Sequence, residues 1–481
     1  MNWTARQVAG AVRGVLHGPD APLSGVSTDT RTLAPGQLFV PLRGPNFDGH
    51  AFIDGAFQSG AAAAMVAGDA ERNLDDARVY VEVPDTLEAL GDLAQAWLQS
   101  LSAIRIALTG SNGKTTTKEL IAAALAPYGD VHKTYGNHNN LIGMPLTALA
   151  AKPGHAYIVF ELGMNARGEI GVLTRRVVPH VGLITSIAPA HLEGVGSIQG
   201  VAEAKAELFR GLGPSAILVV NAFDARVKAL AEGLPQRAVV VGPGSDADVS
   251  VTRIQRQGVA GFTATLAIRS VHSGGRPGAA SPRPSSSARA SQRGEPQVHT
   301  LTLRTLARHD VINAALAIGV VVALGLEVEP ALTALTRHTG VYGRMAWVVT
   351  PRGVNVIDDT YNANPGSMRA ALEALCEAGA GARRLAVLGD MRELGPSAAT
   401  LHEEIGGVAG DLGIDALYAV GRYAENVATG YAGDRVVAAE NAGEIVGHLM
   451  KTVRRGDWVL VKGSRGMRME RVVEALMEQD A

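Results

Sequence analysis

A chain of 481 residues that is 47% hydrophobic is too long for one hydrophobic core and predicts about three domains. The formal net charge of −2 gives no electrostatic reason to expect nucleic acid or an anionic membrane as a partner. The single cysteine, Cys376, excludes an intrachain disulfide, and there is neither a signal-peptide core nor a run of about 18 apolar residues. We therefore expect a cytoplasmic protein that does not insert into a membrane.

The first region, residues 1–100, is predicted to be a small α/β domain. Short strand-like pieces such as GQLFVPL and ARVYVEV lie between turns, and a helical stretch, TLEALGDLAQAWLQSL, ends the region.

The second region, residues 101–339, opens with a strand, IRIALTG, and a helix, KTTTKELIAAALAPYG. Further apolar strands (AYIVFEL, HVGLITSI, AILVVN) alternate with helices, which predicts a mainly parallel sheet covered on both faces. After about residue 245 the residue pattern changes and indicates short antiparallel strands. Residues 270–296, rich in Ser, Gly, Pro and Arg, are predicted to be a disordered insertion.

The third region, residues 340–481, repeats the alternation of strand and helix. Strands VNVID, RRLAVLGD, ALYAVG and WVLVKG predict a Rossmann-like doubly wound domain. No G-x-G-x-x-G follows its first strand, so a dinucleotide is not expected there.

The loop between the first strand and helix of the second region, TGSNGKTT, is typical of a phosphate-binding loop. Lys114 would supply a positive charge to the β- and γ-phosphates, and the hydroxyl of Thr115 would hold Mg²⁺. The loop is short, because Leu108 stands where the usual pattern has its first glycine.

Further candidates follow the next two strands of the sheet. Glu161 ends AYIVFEL, and His191 lies just past HVGLITSI, at the edge where such sheets bind ligands. Glu161 is a candidate magnesium ligand, with capping of the next helix as the alternative. Position alone favours a structural role for His191. Lys205 lies in mid-helix between Glu203 and Glu207, which by itself predicts a solvated lysine.

Two residues are expected near the boundary with the third region. Asn313 lies near the start of a predicted buried helix, and Arg344 follows where the two regions should meet. An arginine at such a place either forms a salt bridge or neutralises phosphate charge from the other domain. Spacing leaves both possibilities open.

Taken together, these motifs resemble those of the Mur ligases, the ATP-dependent amino-acid ligases of peptidoglycan precursor synthesis, over almost the whole chain. TGSNGKTT is similar to the family's short phosphate loop. Residues 26–56 resemble its uridine-nucleotide-binding domain, although Asp-Thr-Arg stands at 29–31 in place of the usual Asp-Ser-Arg. Three stretches are similar to the branch that adds D-alanyl-D-alanine: TYGNHNNLIGMPLTAL (134–149), VIDDTYNANPGSM (356–368) and VLGDMRELG (387–395).

Other branches and classes fit the sequence less well. The branch that adds a diamino acid to the dipeptide substrate carries a D-Y-A-H-T-P type stretch, and its diaminopimelate-adding members carry D-N-P-R; neither occurs here. Folylpolyglutamate synthases share the loop and the lysine helix but should lack the uridine domain. An NTP-driven switch protein would carry the full phosphate loop, and a guanine switch an N-K-x-D motif, and both are absent.

The resemblance implies a monomeric, ADP-forming ligase that joins D-Ala-D-Ala to UDP-MurNAc-tripeptide through an acyl phosphate. It implies ATP and two Mg²⁺ ions as cofactors, with a possible carbamate on Lys205. The pocket for D-Ala-D-Ala is expected in the third domain, facing the phosphate loop. The third residue of the tripeptide is not specified.

The resemblance also assigns roles residue by residue. It assigns metal binding to Thr115, Glu161, His191 and Lys205, and catalysis to Lys114, Glu161, His191, Lys205 and Arg344. It assigns ATP binding to Gly110, Ser111, Asn112, Gly113, Lys114, Thr115, Thr116, Asn313, Arg344, Asp359, Tyr361 and Asn362. It assigns binding of the uridine substrate to Ser27, Asp29, Thr30, Arg31, Asn137 and Asn140.

Overall fold

Three large β-sheets organise the chain. The computed structural model describes residues 2–44, 46–69, 77–190, 192–269 and 295–478. The predicted disordered insertion therefore lies outside the described residues, except for its last two positions. Within the described part of the chain, none of the helices has the length and apolar character that crossing a membrane requires.

The first domain is built on a five-stranded sheet in the order β2-β9-β8-β5-β4, in which only β2 runs antiparallel to its neighbour. Two further short antiparallel pairs, β1-β3 and β6-β7, belong to this domain. The strands are β1 (Trp3–Thr4), β2 (Val15–His17), β3 (Pro22–Leu23), β4 (Val26–Ser27), β5 (Leu38–Phe39), β6 (Arg43–Gly44), β7 (Phe47–Asp48), β8 (Ala63–Ala67) and β9 (Tyr80–Val83), and the helices are α1 (Ala5–Ala11), α2 (Ile53–Gln58) and α3 (Thr86–Gln99).

Helix α3 joins the first domain to the second. The indole of Trp97 donates to the carbonyl of Ala151 at 3.0 Å, and Arg176 pairs with Glu88 at 2.5 Å. Apolar residues of both domains pack in one continuous core, so their relative position is fixed by burial and not by a linker.

The second domain is built on a nine-stranded sheet in the order β11-β12-β10-β13-β14-β15-β16-β17-β18. Its strands are parallel as far as β16, and β17 and β18 are antiparallel, as predicted. The strands are β10 (Ile104–Thr109), β11 (Val131–Lys133), β12 (Tyr157–Glu161), β13 (Val181–Ile184), β14 (Ile217–Asn221), β15 (Arg237–Gly242), β16 (Val249–Arg256), β17 (Phe262–Ile268) and β18 (Gln297–Leu303). The helices are α4 (Lys114–Leu125), α5 (Gly143–Ala150), α6 (Glu169–Val177), α7 (Leu192–Val195), α8 (Ile198–Arg210), α9 (Ala225–Ala231), α10 (His309–Ala323) and α11 (Glu329–Thr336).

The third domain is a six-stranded sheet in the order β19-β20-β24-β21-β22-β23, parallel except for β19. Separate apolar clusters cover its two faces, which is the doubly wound arrangement predicted. The strands are β19 (Ala346–Val349), β20 (Asn355–Asp359), β21 (Arg384–Gly389), β22 (Ala416–Val420), β23 (Val436–Ala439) and β24 (Trp458–Lys462), and the helices are α12 (Pro365–Ala378), α13 (Ala398–Asp411), α14 (Ala424–Gly430), α15 (Ala442–Thr452) and α16 (Glu470–Glu478).

The third domain packs against the second. Leu306 and Ala307, from the segment before α10, are buried in the core of the third domain. Arg256 also pairs with Glu377 at 2.8 Å. The predicted fold class, three α/β domains with mainly parallel sheets, is confirmed.

Candidate active site

The phosphate loop connects β10 to α4. Neighbouring atoms lie so close to its two glycines that a side chain at either position would collide with them. Gly113, which precedes the helix, has φ +77°, and a Cβ there would lie 2.8 Å from Asn313 Oδ1. A Cβ at Gly110 would lie 1.9 Å from the hydroxyl of Thr185. Glycine therefore lets the loop adopt a left-handed turn and pass against its neighbours.

The loop is held by the segment that follows β13. Ser111 Oγ donates to the carbonyl of Ala188 at 2.8 Å, and Ser111 N donates to the carbonyl of Ser186 at the same distance. Thr185 Oγ1 donates to the carbonyl of Asn112 at 2.5 Å. These contacts order the loop in the absence of phosphate. Phosphate binding should therefore cost little conformational entropy in the loop.

The side chain of Lys114 lies over the loop, and its ammonium donates to the carbonyl of Gly110 at 2.8 Å. Burial lowers the pKa of Lys114, and the Arg344 guanidinium lowers it further, while the Glu161 and Glu393 carboxylates oppose the shift. A phosphate at this point would add negative charge, which favours the protonated form of the lysine.

Thr115 and Glu161 form a buried pair at the end of the loop. Thr115 Oγ1 donates to Glu161 Oε2 at 2.8 Å, and Asn139 Nδ2 donates to Glu161 Oε1 at 2.9 Å. Glu161 is only 3% exposed, and its carboxylate bonds these side chains and not the start of the following helix. Hydroxyl and carboxylate oxygens are ligands that Mg²⁺ accepts beside phosphate oxygens, so this pair fits a magnesium ion.

Arg344 reaches the same point from the start of the third domain. Its Nη2 donates to Thr115 Oγ1 at 2.8 Å, and its guanidinium lies over the ring of Tyr361, 4.2 Å from the centroid. Its Nε is buried and has no hydrogen-bond partner. A cation with an unused donor at the phosphate loop is suited to phosphate oxygens.

A cavity of about 320 Å³ lies between the second and third domains beside the loop. All the predicted ATP-binding residues except Gly110 and Thr115 line it. Asp359 is fixed by Lys462, whose ammonium donates to it at 2.6 Å, and Asn364 Nδ2 donates to Asn112 Oδ1 at 2.6 Å across the domain boundary. The structure therefore brings together the predicted residues from both domains. The cavity is lined by Ser111, Asn112, Gly113, Lys114, Thr116, Asn313, Arg344, Asp359, Tyr361 and Asn362, among others.

A larger cleft, of about 1060 Å³, lies between the first and second domains. Four of the predicted uridine-substrate residues line it: Ser27, Asp29, Asn137 and Asn140.

Thr30 and Arg31 lie in the same turn but are not among the lining residues. Arg31 instead pairs with Asp29 at 2.6 Å, and these hydrogen bonds lower the pKa of Asp29 to about 2. The amide oxygen of Asn140 accepts from Gly143 N at 2.8 Å and so orders the start of α5.

Lys205 is not solvated, and the expectation drawn from its acidic neighbours is wrong. Its side chain is buried, with the residue 1% exposed. Burial and the nearby Lys114 ammonium place the pKa of Lys205 well below its usual range. A lowered pKa favours the neutral amine, which is the form that would react with CO₂. His191, the other predicted ligand of a second metal, lies outside the described residues.

Two polar residues that sequence reasoning missed support Glu161. Lys118 is 1% exposed, lies 4.0 Å from Glu161, and donates to the carbonyl of Thr134 at 2.7 Å. Lys118 lies one helical turn after Lys114, and this spacing could have indicated from the sequence that both lysines face the site. Asn139 lies between the two predicted asparagines of TYGNHNN, and nothing local distinguishes it from them.

Comparison with known proteins decides the family. Family models for the Mur ligase family catalytic domain, the Mur ligase middle domain, and the Mur ligase, glutamate ligase domain match residues 22–98, 108–321 and 343–465. The chain is 34% identical to UDP-N-acetylmuramoyl-tripeptide--D-alanyl-D-alanine ligase of Bacillus subtilis, over 99% of this chain and 98% of that protein. The chain belongs to the Mur ligase family.

The fold of this Mur ligase is similar to that of solved structures along nearly its whole length. MurF from Acinetobacter baumannii superposes with a TM-score of 0.86 at 30% identity, covering 100% of this chain and 99% of that chain. MurF from Thermotoga maritima, crystallised in complex with ADP, gives a TM-score of 0.78 at 27% identity, over 95% of this chain and 97% of that chain.

Proposed function

We propose that this Mur ligase joins D-alanyl-D-alanine to UDP-N-acetylmuramoyl-tripeptide and hydrolyses ATP to ADP and phosphate to do so. The observation that carries the proposal is the position of Glu161. One of its oxygens bonds Thr115, beside the residues that line the ATP cavity, and the other bonds Asn139, beside those that line the large cleft. A carboxylate delivered through the cleft would meet the γ-phosphate at this point.

The residues present fit a magnesium nucleotide. Thr115 and Glu161 would hold one Mg²⁺, and His191 with a carbamate on Lys205 would hold a second. Bound there, Mg²⁺ would neutralise charge on the phosphate oxygens. A carbamate would turn the buried amine of Lys205 into an anionic oxygen ligand.

The first chemical step joins two anions. The terminal carboxylate of the tripeptide attacks the γ-phosphorus, and ADP leaves with the bridging oxygen. Lys114 and Arg344 neutralise the negative charge that would otherwise repel the attack. The product is an acyl phosphate, whose carbonyl carbon is electrophilic enough to react with an amine.

The second step forms the peptide bond. The amine of D-Ala-D-Ala attacks the carbonyl carbon, and phosphate leaves. The Arg344–Thr115 and Asn364–Asn112 contacts support an arrangement in which the third domain covers the site and would exclude water that hydrolyses the acyl phosphate.

A coupled assay of phosphate release tests the function. Release should require UDP-MurNAc-tripeptide and D-Ala-D-Ala together, and Lys114→Ala should abolish it. Phosphate release with UDP-MurNAc-dipeptide and a diamino acid, or with a folate and glutamate, in place of this pair would refute the proposal. Comparing tripeptides that end in diaminopimelate or lysine in the same assay identifies the third residue.

A further inference from the structure

A further cavity, of about 440 Å³, is lined by residues of the second and third domains. Its volume lies within the range of small-molecule sites, roughly 300–1,000 Å³. Thr115 forms part of its wall, and His132, Lys133 and Tyr135 line both this cavity and the large cleft. This side pocket therefore adjoins the proposed path of the UDP-tripeptide and the hydroxyl at the end of the phosphate loop.

Two opposite charges lie side by side on the wall of the side pocket. Lys133 forms an ion pair with Glu119, and the two side chains are 42% and 19% exposed. Lys118, which is buried, contacts the other oxygen of Glu119 at 3.3 Å. Burial opposes the ionisation of Glu119, but the two lysines outweigh it and lower the pKa of this carboxyl. The pocket therefore presents an accessible ammonium next to a carboxylate.

The rest of the side pocket offers apolar surface. Val131 of β11 and Val341 line it, together with the rings of Tyr135 and Tyr342, which are 82% and 70% exposed. These rings come from the second and the third domain, and a bound aliphatic chain would cover part of their apolar surface. The pocket thus fits a flexible chain of methylene groups that carries charge at its end.

We propose that the side pocket receives the side chain of the third residue of the tripeptide, and that Lys133 and Glu119 select diaminopimelate over lysine. This inference rests on the proposed function. The carboxylate that reacts belongs to the third residue and would lie beside Thr115 and Glu161. Because Thr115 also forms part of the pocket wall, the side chain of that residue would begin within reach of the pocket.

The chemical difference between the two third residues matches the charges of the pocket. Diaminopimelate is lysine with a carboxylate added to the carbon that bears the distal amine. That carboxylate would pair with Lys133, and the ammonium on the same carbon would pair with Glu119. A lysine side chain would bring a third ammonium to Lys118 and Lys133 without a second carboxylate. The arrangement therefore disfavours lysine as well as favouring diaminopimelate.

The acceptor dipeptide also carries both charges, but their spacing differs. In extended D-Ala-D-Ala the ammonium and the carboxylate lie roughly 7 Å apart. Lys133 and Glu119 contact each other, so they suit two charged groups on one carbon. Both residues also belong to the second domain, and Lys133 faces the large cleft. The side pocket is therefore assigned to the tripeptide and not to the acceptor.

Kinetics with the two tripeptides test the inference. The wild-type enzyme should show a kcat/KM about 10–100-fold higher for the tripeptide that ends in diaminopimelate, the effect of one hydrogen bond between charged groups. Lys133→Met, which removes the charge and keeps an unbranched side chain, should abolish this preference by lowering kcat/KM for the diaminopimelate substrate. KM for ATP and for D-Ala-D-Ala should stay unchanged.

Two further variants make the test specific. Lys133→Arg keeps the positive charge and should keep most of the preference. Lys228→Met, at an exposed lysine on α9, is the matched control and should behave as wild type. A thermal melt of each variant checks that it is folded.

Four results would overturn the inference. Equal kcat/KM values in the wild-type enzyme, or a preference for lysine, would do so and leave the proposed function intact. A preference that persists in Lys133→Met would show that Lys133 does not select the third residue. A raised KM for D-Ala-D-Ala in that variant, with the same selection between tripeptides, would assign the pocket to the acceptor. Absence of turnover with either tripeptide would refute the proposed function and this inference with it.

Discussion

Arg344 donates a hydrogen bond of 2.8 Å to the hydroxyl of Thr115, which lies 229 residues earlier in the chain. The same hydroxyl donates to Glu161, so one short chain of contacts links the third domain to the end of β12. In this arrangement the third domain contributes a positive charge, the guanidinium of Arg344, at the end of the phosphate loop.

Replacing Arg344 by Ala should lower kcat by about 10²–10³-fold, because a preorganised cation is lost where phosphate charge develops. KM for the UDP-tripeptide should change little, since Arg344 does not line the large cleft. Steady-state kinetics measure both. Arg337→Ala, an exposed arginine just after α11, should behave as wild type. A fully active Arg344→Ala enzyme would contradict the role.

Gly113→Ala should raise KM for ATP strongly. Its Cβ would meet Asn313 Oδ1 at 2.8 Å, at a φ of +77°. Gly233→Ala is a matched control, because Gly233 has φ +75° with nothing within 4 Å of an added Cβ. Both variants should lose about 1 kcal/mol of unfolding free energy. Only Gly113→Ala should weaken ATP binding, as isothermal titration with ATP would show; equal effects would mean that strain alone matters.

Lys118→Met should destabilise the protein by about 3–5 kcal/mol, because it removes the cation beside the buried carboxylate of Glu161 and the partly buried one of Glu119. Urea unfolding measures this loss. Lys133→Met removes the other partner of Glu119 but at a side chain that is 42% exposed, so its cost should stay near 1 kcal/mol or less. Similar losses in the two variants would argue against a special role for the buried lysine.

Lys205→Ala should be inactive and should regain part of its activity when short-chain carboxylic acids are added. The cavity left by the buried side chain would admit a carboxylate, which would replace the carbamate oxygens. Lys228→Ala, at an exposed lysine on α9, should remain active without any supplement. Rescue by primary amines in place of carboxylates would show that Lys205 acts as an unmodified amine.

Acid should destabilise the enzyme through His180. Burial, together with the charge of Arg105, lowers the pKa of His180 to about 4, and its Nδ1 accepts from Arg105 N at 2.9 Å. The unfolded chain, with a histidine pKa near 6.5, takes up a proton more readily than the folded chain. The contribution to stability is therefore complete above about pH 6.5 and is lost as the pH falls towards 4.

Thermal melts between pH 7 and pH 4.5 would measure this effect. His180→Asn should flatten the decrease in Tm, because an amide oxygen accepts from Arg105 N without titrating. His448→Asn, at an exposed histidine on α15, should leave the pH dependence as in wild type. An unchanged slope in His180→Asn would assign the acid sensitivity to other groups.

The sequence by itself determined the order and type of the major elements. Strands that are buried on both faces must be apolar throughout, so β10, β12, β13 and β14 are visible as continuous runs between helices. The phosphate loop was equally visible, because a backbone that approaches phosphate needs glycine at fixed places. These requirements act on residues that are close together in the chain, so they can be recognised from the sequence.

Tertiary structure decided what local periodicity does not encode. Lys205 was read as solvated because Glu203 and Glu207 are acidic, but residues two apart on a helix point to different faces, so those neighbours say nothing about its own face. The Arg344–Thr115 bond and the Lys118 contact with Glu161 depend on how distant parts of the chain pack. Such contacts join residues far apart in the chain, and no spacing in the sequence specifies the distance between them.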